Sequence, residues 1–197
     1  LLGIFLDSET NGLDWTKHVI LEISFVIKDL ENGKTIASYT AAICPSDEQW
    51  ALSDPKSLAF TGITHFFLKS MGKEKSVVKK EMIEIFIKNN IKRGNAVFIC
   101  QNPTFDRIFF SQIIDVKTQE FLYLPYYWLD LASMYWCKKT LNGESLTDLS
   151  LSKDSIAKEY GISSEEKPHR SLGGVNHLIT CYNSVVGFPK KDSQEYV

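Results

Sequence analysis

The chain has 197 residues, of which 44% are hydrophobic and 23% charged, with a formal net charge of −2. That is enough for one domain with a sizeable core, and the composition excludes a disordered, collagen-like or coiled-coil chain. The near-neutral charge excludes a protein that coats nucleic acid through its overall field, but not an enzyme that grips one strand end through a few local contacts.

In chain order, residues 2–6 form a short apolar run ending at Asp7, which reads as a buried strand entering a loop. Residues 18–28 (HVILEISFVIK) are rich in β-branched side chains and predict a second strand. Asn32-Gly33 is a hairpin signal, and residues 35–43 follow as a third strand, giving an antiparallel meander with the first strand central. Val77, Val78, Met82, Ile85 and Phe86 share one face of a helix over 75–90. Residues 96–100 form a strand whose position after a helix implies a parallel crossover onto the first strand. Asn102-Pro103 marks the turn into a helix over 104–115. Residues 126–129 read as the last strand, leading to a helix from about 130. A short helix over 152–160 is stopped by Gly161, and a final helix begins near Ser171. The expected architecture is one α/β domain over residues 1–188, with a short tail over 189–197.

No apolar run is long enough to span a bilayer, and the N-terminus lacks the features of a signal peptide. A cytoplasmic protein with no membrane association is expected, with little extension before the first strand. The four cysteines, Cys44, Cys100, Cys137 and Cys181, include no CxxC pair, which argues against a zinc site or a thioredoxin-like motif. Lys73, Lys75, Lys79 and Lys80 cluster either as a solvated helix face or as a phosphate-contacting patch.

Three segments carry candidate chemistry. In Phe5-Leu6-Asp7-Ser8-Glu9-Thr10-Asn11-Gly12-Leu13, two acids stand at i and i+2, which on a strand face the same way. Carboxylates held so close repel unless a cation lies between them, and oxygen ligands suit Mg²⁺ or Mn²⁺; the alternative is a pair of solvated loop acids. In Asn102-Pro103-Thr104-Phe105-Asp106, Asp106 sits near a helix start, where an acid also suits the helix dipole. In Lys167-Pro168-His169-Arg170-Ser171-Leu172, a histidine precedes the last helix and is either structural or a proton acceptor.

Taken in order, D-x-E, then N-x-x-x-D, then H-R-S-L resembles the DnaQ-like DEDDh 3′–5′ exonucleases, the group that includes the proofreading epsilon subunit and RNase T. FLDSETNGL resembles the family's strand-end motif, NPTFDRIFF its second motif, Thr61-Gly62-Ile63-Thr64 its Gly-Ile-Thr turn, and Trp128-Leu129-Asp130-Leu131 its later strand–helix junction. The resemblance runs over about residues 4–186. It implies an RNase H-like fold, a mixed five-stranded sheet flanked by helices, and a two-metal Mg²⁺ or Mn²⁺ site. By that resemblance Asp7 and Glu9 would bind the metals, with Asp7 touching both, and Asp106 would complete the second metal's sphere, partly through water. His169 would be general base on the attacking water. Thr10, Asn11, Gly12, Leu13, Gly62, Ile63, Asn102 and Phe105, with His169, would line the substrate cleft, and Leu13 would wedge against the terminal base. For Leu13, Phe105 and Ile63, ordinary core packing is the equal alternative. The implied reaction releases nucleoside 5′-monophosphates from the 3′ end of single-stranded DNA, ahead of RNA. Replication or repair is the implied setting, and a DNA polymerase subunit is an implied partner.

One residue departs from the pattern. The family's Asp five positions after the histidine is Gly174 here, preceded by Gly173. Three readings stay open: Gly-Gly is an insertion and Asn176 takes the Asp position; the register is ungapped and His177 reaches in from one turn along; or the protein is a pseudo-exonuclease that binds nucleic-acid ends or partners without cutting.

Overall fold

The computed structural model describes residues 1–189. Nearly all of the expected 189–197 tail therefore lies outside the described residues. Strands β1 (Leu2–Thr10), β2 (Ile20–Asp29), β3 (Thr35–Ala42), β4 (Ala96–Cys100) and β5 (Trp128–Asp130) form one sheet in the order β3-β2-β1-β4-β5. β2 pairs antiparallel with β1 and β3, while β4 is parallel to both β1 and β5. This is the expected meander with β1 central, closed by a parallel crossover, and it is the mixed sheet of an RNase H-like fold.

β1 runs further than its apolar stretch. Its ladder with β2 continues through Asp7↔Ser24, Ser8↔Ile23 and Glu9↔Glu22, so both acids lie within the strand rather than in a loop after it. The pleat then sorts the side chains. Ile4 and Leu6, with Ile23, Phe25 and Phe98, pack under helices α4 (Lys75–Lys88) and α5 (Pro103–Ile113) through Val78, Met82, Phe86, Phe109 and Phe110. Phe5, Val26 and Ile99 face the other way. They pack against α7 (Leu131–Leu141), α8 (Lys153–Glu159) and α9 (Ser171–Val185) through Leu131, Tyr135, Ile156, Val175 and Leu178. Asp7 and Glu9 share the parity of Phe5, and so point toward α9.

Three short helices, α1 (Asp47–Ala51), α2 (Pro55–Thr61) and α3 (His65–Met71), fill the stretch for which no periodicity was readable. Each is set by its cap. Ser46 and Gln49 form a reciprocal capping box, Asp54 caps α2 ahead of Pro55, and Thr64 caps α3. The remaining short helix, α6 (Val116–Phe121), is capped by Asp115 and was likewise not legible in the pattern. β5 starts at Trp128 rather than 126, because Tyr126 and Tyr127 are exposed and Trp128 stacks on Phe98 with ring centroids 4.0 Å apart. Among the described residues, no helix is long and apolar enough to cross a membrane. All four cysteines are free, and Cys100 is fully buried as a small apolar side chain.

Candidate active site

The C-terminal half of β1, the start of α5 and the approach to α9 enclose a cleft of about 730 Å³. Its walls include Asp7, Glu9, Asp106, His169, Lys153 and Glu165. β1 delivers Asp7 and Glu9 from one face, while Ser8, on the opposite face, donates to Asp106 Oδ1 at 2.7 Å. Asp106 reaches the strand end because Asn102 adopts a left-handed conformation (φ 56°) and Pro103 starts α5 at once. Asp130, in the junction the sequence also singled out, caps α7 and accepts from the Asn102 backbone N–H at 3.0 Å, which fixes that turn.

The three acids sit in an environment hostile to their charged forms. Burial, opposed by Lys153 and reinforced by Glu165 and Glu22, raises Asp7 to about 6. Burial and the neighbouring Asp7 raise Glu9 to about 9. Burial and Asp7 push Asp106 well above the carboxylate range, against the Ser8 hydrogen bond. Desolvated carboxylates facing one another are short of positive charge, and hard oxygen donors of this kind suit a divalent cation. Among the described residues, no three acid, histidine or cysteine side chains are already drawn together in a metal cage. Asp7, Glu9 and Asp106 fit an ion by donor chemistry and by charge, since a cation between them would remove the repulsion that favours protonation.

His169 is held from three sides. Its backbone N–H donates to Phe60 O at 3.2 Å, its ring stacks on Phe60 with centroids 3.9 Å apart, and its Nδ1 lies 3.1 Å from Glu165 Oε1. Glu165 is also 2.7 Å from Lys153 Nζ. Lys153 in turn donates to Gly174 O at 3.3 Å and lies 3.9 Å from Asp7 Oδ1. Burial works against this ammonium, but Asp7, Glu165 and Asp106 outweigh it and raise its pKa. Behind His169, Arg170 forms a forked ion pair with the buried Glu22, and Glu22 Oε2 also accepts from Ser171 N at 2.9 Å and Ser171 Oγ at 3.0 Å. Glu22 stands opposite Glu9 in the β1–β2 ladder, so this anchor ties the start of α9 to the acid-bearing face of the sheet.

α9 crosses β1 so closely that a Cβ on Gly174 would come 2.2 Å from Asp7 Oδ2. Gly174, where the resemblance expects an acid in the ungapped reading, is therefore in contact range of Asp7. Asn176 is exposed, and His177 is occupied through Nε2 with Ser163 O at 2.9 Å; neither lines the cleft.

The other expected substrate positions divide. Thr10, Leu13, Asn102 and Phe105 line the cleft, with Leu13 75% exposed at its mouth. Asn11, Gly12, Gly62 and Ile63 do not. Asn11 is fully buried and acts as a strut, accepting from Val19 N at 2.7 Å and donating to Gln49 O and Ser53 Oγ. Gly12 packs under the His18 ring, where a Cβ would fall 2.3 Å from a ring carbon. Gly62 ends α2 in a left-handed conformation (φ 64°) against Pro168, and Ile63 packs with Leu21 and Leu68 in a small core. The lysine cluster lies away from the cleft and is largely paired: Lys73 with Glu81 and Lys79 with Asp115, both at 2.7 Å.

Sequence reasoning missed Lys153, Glu165, Glu22 and Phe60. Only Glu22 carried a signal, as an acid interrupting an apolar strand.

No protein-family model matches the chain. Solved structures do. Escherichia coli exonuclease I in complex with a dT13 oligonucleotide matches with a TM-score of 0.73 at 19% identity, over 93% of this chain and 40% of that one. Exonuclease I from Methylocaldum szegediense matches at 0.74 and 18% identity, over 93% and 40%. Cell-death related nuclease 4 matches at 0.74 and 14% identity, over 94% and 63%. The chain has the RNase H-like fold of these nucleases. It spans about 40% of the length of the exonuclease I chains.

Proposed function

We propose that this protein is a metal-dependent 3′–5′ exonuclease that removes nucleoside 5′-monophosphates from single-stranded nucleic acid, DNA in preference to RNA. The observation that carries the reading is the convergence of Asp7, Glu9, Asp106 and His169 in one cleft, with three desolvated acids short of positive charge. Exonuclease I has been seen with dT13 and dA16 oligonucleotides, which supports single-stranded DNA as the substrate class.

Asp7, Glu9 and Asp106 would hold Mg²⁺ or Mn²⁺, which supplies charge stabilisation at phosphorus and acidifies a water. The protein's own groups do the rest. Glu165 at Nδ1 favours the proton on that nitrogen, leaving His169 Nε2 free to take the proton of the attacking water. The Phe60 stack holds the ring, while the Phe60 carbonyl fixes the His169 backbone. Leu13 and Phe105 offer apolar surface on which terminal bases stack with little sequence preference.

A second reading keeps the cleft and drops turnover: a module that binds 3′ ends without cutting. Gly174 in place of an acid, with Lys153 beside Asp7, favours it. One experiment separates the two. A 3′-labelled single strand is incubated with the protein in Mn²⁺. Mononucleotide release that Asp7→Ala abolishes supports the enzyme. Measurable binding with no release at high protein concentration establishes the binding module instead.

A further inference from the structure

We infer that the Lys153 ammonium is a built-in cation of the acid cluster, so that the cleft takes one divalent ion rather than two. The inference rests on the metal-dependent reading above and narrows it. Four observations carry it. Lys153 is little exposed, at 14%, and its ammonium lies 3.9 Å from Asp7 Oδ1. It is anchored on the carbonyl of Gly174, the residue where an acid is missing. Among the described residues that line the cleft, Glu165 is the one further acid that is itself buried, and it cannot serve as a free fourth ligand. One of its oxygens faces Lys153 at 2.7 Å and the other faces His169 at 3.1 Å. Finally, a carboxylate cannot enter at position 174 without displacing Asp7, because even a Cβ there would overlap Asp7 Oδ2.

The donor count follows. Asp7, Glu9 and Asp106 are the carboxylates left for metal, and Asp106 already accepts from Ser8. Two divalent ions beside a fixed ammonium would put three cations around three free carboxylates. Like charges so close disfavour one another, as two ionised acids do without a cation between them. The lysine thus neutralises part of Asp7 and, through Glu165, is linked to His169.

Mn²⁺ titration by calorimetry, with bound ion checked by electron paramagnetic resonance, tests this without reference to turnover. The wild-type chain binds one Mn²⁺, and Lys153→Arg, which keeps the charge, also binds one. Lys153→Met, which removes the charge and frees Glu165, binds a second Mn²⁺ or binds the first at least tenfold more tightly. Lys153→Met with Glu165→Gln returns to one ion. Two ions on the wild-type chain, or none, overturn the inference, as does a folded Lys153→Met protein with unchanged stoichiometry and affinity. If Lys153→Met does not fold, the wild-type stoichiometry decides alone. Nucleotide release is scored separately: two ions with release overturn the inference and leave the exonuclease standing, whereas one ion without release does the reverse.

Discussion

The two walls of the cleft follow different rules. The α5 wall presents Asn102, Phe105 and Asp106 as a local device: a left-handed residue, a proline at the first helical position and an acid in the first turn. The α8–α9 wall presents His169 against Glu165, Glu165 against Lys153, and a glycine pressed against Asp7. The first wall is built from consecutive residues, so its chemistry is fixed by local geometry. The second is assembled from three separate segments, so its charge can be rearranged while the helix still packs. The cleft can therefore hold three acids and an ammonium without disturbing the packing of α9 on β1.

The comparison breaks most sharply at Asp7, which stands on β1 between the two walls. Asp7→Ala removes the residue central to the proposed ion site, and nucleotide release falls by a thousandfold or more on the order of what loss of metal charge stabilisation implies. Activity within tenfold of wild type, measured with labelled single strand, would show that the cleft works without the acid cluster. Next in size is the buried pair on the second wall. Glu165→Ala removes the nearest carboxylate of the little-exposed Lys153, leaving it only the more distant Asp7 as ion partner, and lowers stability by about 3 kcal/mol. Denaturant unfolding reads this directly, and an unchanged midpoint would mean that the Lys153–Glu165 pair is solvated. His169→Ala slows release by about a hundredfold if the ring takes the proton of water. Its pH–rate profile should lose the limb belonging to the histidine, an effect that mere loss of the Phe60 stack does not produce.

The same contrast explains what was legible in the sequence. The sheet order, the central position of β1 and the face shared by Asp7 and Glu9 follow from alternation and crossover rules acting over a few residues. Asp106 and His169 were readable because each sits at a helix start with a recognisable approach. Lys153 and Glu165 were not readable, because nothing local marks a lysine at the first residue of α8 or a glutamate in the following loop as neighbours of Asp7; only the docking of α9 on β1 brings them there. Asn11, Gly12, Gly62 and Ile63 lie close in sequence to cleft residues, yet they serve backbone support or the small core. Sequence proximity to a motif says little about which way a turn residue points. The short helices α1 to α3 escaped for another reason: their stability comes from single caps and tertiary contact, with too few turns to show a period.

The smallest expected effect is the stabilisation that a bound ion adds to these acids. Burial raises Glu9 to about 9 and Asp7 to about 6 in the folded chain, above the ordinary carboxylate range. Between the low and high values the folded chain binds more protons than the unfolded one, so stability falls as pH rises through that window. Their contribution is thus complete below about pH 4 and lost progressively toward pH 9, the reverse of a salt-bridged carboxylate. A divalent ion that binds the ionised cluster opposes this loss. At ten times its Kd such an ion adds about 1.4 kcal/mol, which for a chain of this size is roughly 3–6 °C in Tm. Thermal melts at pH 6 to 9 should therefore show a metal-free Tm that declines with pH, and a Mn²⁺-induced rise that is larger at pH 9 than at pH 6. In Asp7→Asn the decline should be shallower and the Mn²⁺ effect absent. A Mn²⁺ effect of equal size at both pH values would detach the ion from these carboxylates and place it elsewhere on the surface.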